Sequence, residues 1–415
     1  MVDPKSPTLK VCIISCVMSP EPIVSAIMGS DIAHSVSERG HDVVVLSPYP
    51  SKTKGVIYEG YSRRFPWAKD LNVKEFRLIR CCSTFSKSSS LISRFFENVT
   101  FGFTSSLYLL FMRSKPDVIY INTWPIFATA MNVFLAKLFG VKVVRSVKDL
   151  YPDSLLAQDR VSKTSPLYKC LDSLERYACN KSDLNVLLSE KIAAIYKKDK
   201  GIDINYCVIR DWNSYPSQRD EVFLRKDVFP NISNESTLMI YGGNISAAAN
   251  VEGLIENFAS ADLYNTFLLI AGSGSMLTKC QKLSESLGLG GKICFYSDWA
   301  VQDTLALLSL GDLLLLPTES TQSNYSIPSK IISYMNSARA ILAFGSPGTE
   351  LESLIKESGS GWYFGTTEMV DGFKAVSKVS RKELQDKGLY GKSYVERVLA
   401  RDANVNQYIR TIETI

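Results

Sequence analysis

Three short stretches of this sequence combine residue types that can hold an anion: Gly242-Gly243-Asn244, Gly272-Ser273-Gly274 and Ser329-Lys330. Glycine lets a backbone N–H approach an anion closely, where a Cβ would stand in the way. At the third stretch Pro328 precedes Ser329, a good N-cap, so a helix is expected from Ser329 to Asn336 with its first N–H groups free. Lys330 would stand on its first turn, where a cation opposes the helix dipole unless an anion lies there too. Each stretch also has an ordinary reading, a tight turn or a capped helix with a solvated lysine. Together, each following an apolar strand-like run, they favour a nucleotide diphosphate, with Ser326 and Ser333 as polar neighbours on either side of Lys330.

Groups able to move a proton are fewer. Glu21, Asp149, Asp153 and Glu319 are carboxylates in loops that follow strand-like runs, where each could accept a proton or bond a sugar hydroxyl. Glu21, Asp149 and Glu319 are the catalytic candidates. The only histidines, His34 inside a helical pattern and His41 just ahead of a strand, read as structural. There is no nucleophile motif and no Asp-x-Asp pair for a divalent cation, so neither metal nor cofactor is expected. The nine cysteines include the vicinal pair Cys81–Cys82 but no CxxC, which speaks against a zinc site or disulfide framework and suits a reducing cytoplasm.

The elements that must position these groups come from the apolar pattern. A chain of 415 residues, 46% apolar and 21% charged, is globular and long enough for two domains. Its net charge of +5 is too small to indicate nucleic acid as the main partner. Lys10–Met18 reads as a buried strand and not a signal segment, followed by a helix from Val24 to Glu38, a stop at Gly40 and a second strand at Val43–Leu46. The loop after the first strand lacks G-x-G-x-x-G, which disfavours a dinucleotide there. Further strands are expected at Val118–Ile121, Lys142–Ser146 and Leu184–Leu188, each separated by a helical segment. The polar stretch Asp211–Asn234 reads as a linker. Strands at Leu238–Tyr241, Thr266–Ala271, Lys292–Phe295, Leu313–Leu316 and Ala340–Phe344 then repeat the alternation, and a polar helical run from Arg381 to Glu413 ends the chain. The expected class is α/β: two Rossmann-like domains facing across a cleft. Their bounds are 1–210, completed by a helix at 397–415, and 211–396.

One segment stays open between two readings. Basic residues from Arg63 to Lys115 punctuate an aromatic-rich stretch that includes the apolar run Phe95–Met112. It is either a core helix with a solvated basic flank, or a basic-aromatic surface in peripheral contact with an anionic membrane.

The order of motifs resembles the GT-B glycosyltransferases of family 4, in the branch that builds bacterial surface polysaccharides and includes N-acetyl-L-fucosamine and colanic acid transferases. The matching residues are Pro20–Glu21, the segment from Arg39 to Leu46, Lys148-Asp-Leu-Tyr-Pro-Asp-Ser154 and Tyr241-Gly-Gly-Asn244. The best match is Ile327-Pro-Ser-Lys330 with Tyr334-Met335 and Arg339-Ala-Ile-Leu342. The resemblance spans nearly the whole chain. It implies a retaining, metal-independent hexosyltransferase at the inner face of the plasma membrane. Such an enzyme moves a sugar from a UDP-linked nucleotide sugar, a co-substrate and not a cofactor, to a glycan or lipid-linked glycan. Gly242, Gly243, Ser329 and Lys330 would cradle the diphosphate, with Gly272–Gly274 and the Ser297–Trp299 region near nucleoside and sugar.

The chain departs from that pattern where the family pairs two glutamates: Tyr325 and Ser333 stand there. Ala338 and Ala340 replace the family's glycine and proline. A nucleotide-sugar epimerase of the same fold, or a non-catalytic subunit that partners another transferase, are the alternatives.

Overall fold

The structure, a computed structural model, describes residues 7–51, 55–86, 90–122, 126–156, 160–212, 224–230, 232–233, 235–297, 303–318 and 328–415. Chain contacts divide it into two units, Met1–Ser214 with Arg401–Ile415, and Tyr215–Ala400.

The first unit holds β1 (Lys10–Ser15), β2 (Asp42–Pro48), β3 (Trp67–Lys69), β4 (Arg77–Cys81), β5 (Val118–Asn122), β6 (Lys142–Val147), β7 (Leu184–Leu187) and β8 (Tyr206–Val208). They form one sheet in the order β3-β4-β2-β1-β5-β6-β7-β8, parallel throughout except for β3 against β4. The helices between them are α1 (Val24–Glu38), α2 (Leu91–Phe111), α3 (Ile126–Leu138), α4 (Asp153–Leu156), α5 (Pro166–Lys181) and α6 (Glu190–Lys198). Strands such as β1 and β6 are buried from their second residue onward, as a sheet covered by helices on both faces requires. Local signals set the helix ends: Ser90, Ser165 and Ser189 each accept a bond from an N–H in the first turn, and Gly40 follows α1 with φ of +88°. Both histidines are held by contacts within this unit. His34 packs edge-on against Phe76, and His41 is buried between the Leu9 N–H and Glu413.

The second unit repeats the alternation with β9 (Thr237–Gly242), β10 (Thr266–Ala271), β11 (Ile293–Tyr296), β12 (Leu313–Pro317), β13 (Ala340–Gly345) and β14 (Gly361–Gly365). All pairs are parallel, in the order β11-β10-β9-β12-β13-β14. Its helices are α7 (Arg225–Val228), α8 (Val251–Ala261), α9 (Leu277–Ser286), α10 (Thr304–Leu308), α11 (Lys330–Asn336), α12 (Glu350–Ser358), α13 (Met369–Val376) and α14 (Arg381–Val398). The chain is thus α/β with two parallel sheets.

The polar helical run from Arg381 to Glu413 consists of two helices, α14 and α15 (Arg401–Thr414). The break has a packing cause. Leu399 is buried in the core of the second unit, whereas Val405, Tyr408, Ile409 and Ile412 are buried in the core of the first. One straight helix would have to serve both.

Candidate functional site

In the second unit β9 and β12 are neighbours, with β10 beyond one and β13 beyond the other, so the strand order reverses between β9 and β12. Ligands of open α/β sheets sit outside the C-terminal strand ends at such a switch. Gly243 follows β9 there, and Lys330 comes from the connection after β12.

The glycine loops are pressed together. Gly243, Gly272 and Gly274 have φ of +145°, +153° and +159°. A Cβ on Gly272 would collide with the Gly243 carbonyl, and one on Gly274 with the Ile245 carbonyl. Two N–H groups expected to face an anion are engaged: Gly243 N–H donates to the Ala271 carbonyl at 2.8 Å and Gly272 N–H to the Tyr296 carbonyl at 2.8 Å. Gly242 N–H donates to the Tyr334 hydroxyl at 2.7 Å. These three glycines therefore allow close packing of loop on loop and do not present their own donors. The N–H groups of Asn244, Ser273 and Gly274, all on exposed residues, have no acceptor among the described residues.

Lys330 reaches this edge from the start of α11. Its Nζ donates to the Tyr241 hydroxyl at 2.8 Å and lies 4.2 Å from the ring centroid, while Tyr241 donates to the Asn244 carbonyl at 2.6 Å. A Cβ on Gly243 would lie 3.1 Å from this Nζ, so the glycine keeps the space the ammonium occupies. Desolvation pushes the Lys330 pKa down to about 7, and no carboxylate pairs with it among the described residues. A desolvated cation without an anion is costly unless a ligand brings one.

Two neighbours behave differently from expectation. Ser329 occupies the N-cap position but with helical backbone angles, and its exposed side chain makes no capping bond. Ser333 is buried and donates to the Lys330 carbonyl at 2.8 Å, a bond within α11. Tyr334, part of the Tyr334-Met335 motif, fastens α11 to the sheet through the Gly242 N–H and carbonyl. Ala338 takes the left-handed conformation, φ +55°, against which Gly388 of α14 packs. Glu319 and Ser326 lie outside the described residues, as do Tyr325 and Trp299.

In the first unit the order reverses between β1 and β5. Glu21, in the loop after β1, is buried; its carboxylate accepts from Ser51 N–H at 2.5 Å and from the Tyr58 hydroxyl at 3.1 Å. These bonds pin the loop after β2. Asp149, just past β6, is exposed at its surface, yet desolvation and then the Asp211 carboxylate push its pKa up to about 6. Beside it Lys148 meets Asp211 at 2.5 Å and the Tyr408 hydroxyl at 3.2 Å. Asp211 and Tyr408 were missed because their partner lies more than 60 residues away in sequence. Asp153 is paired with Lys200 at 2.5 Å. Among the described residues no group of three His, Cys, Asp or Glu could hold a metal ion.

Two glycosyltransferase families match successive parts of the chain: Glycosyltransferase Family 4 over residues 30–210 and Glycosyl transferases group 1 over residues 224–384. The chain is a GT-B glycosyltransferase of this group 1/family 4 kind. It is 20% identical over 337 residues to the probable glycosyltransferase WbjE of Pseudomonas aeruginosa, a match covering 79% of this chain and 81% of that protein. The crystal structure of WaaG, a glycosyltransferase involved in lipopolysaccharide biosynthesis, superposes with a TM-score of 0.68 at 16% identity, over 98% of this chain and 100% of that one. HepE of Anabaena in complex with UDP does so with a TM-score of 0.66 at 13% identity, again over 98% and 100%. As a group 1/family 4 enzyme the chain takes its sugar from a nucleotide-sugar donor.

Proposed function

We propose that this glycosyltransferase moves a hexosyl unit, with retention, from a UDP-linked sugar to a glycan or lipid-linked glycan in surface-polysaccharide synthesis. The observation that carries the donor assignment is Lys330: a desolvated ammonium at the strand-order switch, beside Gly243, without a carboxylate partner among the described residues. In this reading it neutralises the diphosphate as the sugar–phosphate bond breaks and the oxygen keeps the electron pair. The N–H groups of Asn244, Ser273 and Gly274 add donors around it, and no divalent cation is required. A UDP complex of a structure sharing this fold supports the choice of base, and WaaG's role supports the choice of pathway. Asp149 is assigned to the acceptor hydroxyl, where a carboxyl near 6 can exchange a proton at neutral pH. Reaction occurs at the inner face of the plasma membrane.

The departure at Ser333, buried and hydrogen-bonded within α11, keeps one rival in view, a subunit that binds a donor or a partner without turnover. Incubating the purified chain with a panel of UDP- and GDP-sugars and following nucleotide release separates the readings. Release from a UDP-sugar, abolished in Lys330→Ala, is expected. No release from any donor, together with co-purification of a second transferase, would favour the subunit.

A further inference from the structure

We propose that the outward face of α2 and α3 inserts into the interfacial layer of a lipid bilayer, held by apolar contact and not by headgroup charge. α2 is 21 residues long. One of its faces enters the core through Phe101 and Leu109, so it lies along the unit and does not span. Its other face carries Ile92, Phe96, Val99, Phe103, Leu107 and Leu110 at helical spacing, with Ile92 72% and Phe103 49% exposed. α3 lies beside it, with Phe95 stacked edge-on against Phe127 at 5.0 Å and Gly102 set close against Ala128. It adds an apolar stripe of its own, in which Phe134 is 57% and Leu138 65% exposed. The only acid in the two helices, Glu97, is buried and pairs with Arg94 at 2.7 Å.

Five basic residues of this segment are engaged, Arg63, Arg77, Arg80, Arg94 and Lys115, while Arg64, Lys69, Lys74 and Arg113 are exposed. Arg77 pairs with Asp42 at 2.9 Å, and buried Arg80 with Asp70 at 2.8 Å. Lys115 caps the end of α2 through the carbonyls of Leu109, Leu110 and Met112. What faces outward on α2 and α3 is hydrophobic, rimmed by the exposed Arg113, while Lys137 at the end of α3 is paired with Asp183.

Size argues for lipid over a second copy. A stripe of 18 residues is about 27 Å long, and two adjacent helices give a face of roughly 500 Å². A stable dimer takes roughly 800 Å² from each partner, with hydrogen bonds across it. Both helices run back from the C-terminal edge of the sheet, so Ile92, Phe95 and Phe127 mark the end of the face nearest the edge that carries Asp149. A bilayer on this face would hold a lipid-linked acceptor beside that edge.

The full chain should sediment with vesicles of phosphatidylcholine containing a quarter phosphatidylglycerol, and stay bound in molar salt. The triple variant Phe96→Ser, Phe103→Ser, Phe134→Ser should partition at least ~100-fold less, with its melting temperature unchanged. Binding that salt removes and the triple variant keeps would overturn the proposal, as would no binding to any vesicle. So would a dimer in light scattering that the same substitutions dissociate. Since the measurement uses no nucleotide, its failure leaves the donor assignment standing.

Discussion

At the scale of the single residue, Lys330 makes a claim on pH as well as on affinity. An ammonium held down to about 7 has to be protonated when a diphosphate binds, so binding above that pH takes up a proton. The dissociation constant of a UDP-sugar should be lowest below pH 7 and rise from there towards pH 8.5, as read by calorimetry in buffers of different ionisation enthalpy. Lys330→Ala should weaken binding at pH 6.5 by roughly 10- to 100-fold and flatten the slope, because the charge-assisted bond is gone. Lys330→Arg, charged throughout, should flatten the slope while keeping much of the affinity. An alanine variant that binds as tightly as the parent would remove the phosphate role. Asp149 is the converse case. Its pKa is raised from 3.8 to about 6, so between those values the folded state holds a proton that the unfolded state releases. Its contribution to stability therefore falls as pH rises across that window, and the ionised carboxylate is a net cost at pH 7.5. Asp149→Asn should melt higher than the parent at pH 7.5 and equally below pH 4. Its turnover should fall about 10²- to 10⁴-fold with donor affinity unchanged. Equal turnover would reassign Asp149 to scaffolding.

At the scale of elements, period and caps were legible where they are local. Strands β1, β5, β6, β9, β10, β12 and β13 show as apolar runs, because a strand covered on both faces needs no polar alternation. The short strands β3, β4 and β14 did not show, since they are three to five residues long and only partly apolar. Use of the glycine N–H groups was invisible for another reason: their acceptors, Ala271 and Tyr296, lie at the ends of other strands. Charges inside the first unit were equally hidden. Arg145 on β6 meets Glu175 on α5 at 2.6 Å, and Tyr196 on α6 donates to the same carboxylate at 2.5 Å, all fully enclosed. In the sequence each reads as a surface residue. Removing one partner leaves the other charge buried alone, so Glu175→Ala should cost about 3–5 kcal/mol in denaturant unfolding. A cost under about 1 kcal/mol would mean that water reaches Arg145.

For the whole molecule, the question is which parts of the chain each unit needs to stand. The first unit is discontinuous: its core is closed by α15, which arrives after the entire second unit has been made. Val405, Tyr408, Ile409 and Ile412 are all nearly inaccessible there, Tyr408 packs edge-on against Tyr120 and Trp212, and its hydroxyl receives a bond from Lys148. Four such side chains are worth roughly 6–12 kcal/mol of burial, comparable to the 5–15 kcal/mol by which a whole domain is stable. A chain ending at Ala400 should therefore lose the cooperative transition of the first unit. The second unit has its core within Tyr215–Ala400 and its candidate donor site on β9, β10 and α11, none of which uses α15. Calorimetry of the truncated chain should show one transition, and UDP at a hundredfold excess over its dissociation constant should stabilise it by about 2.7 kcal/mol. In the full chain the same addition should move that transition directly. If UDP shifts nothing in the truncated chain while it does in the full one, donor binding needs residues of the first unit, and the site as assigned to the second unit alone is incomplete.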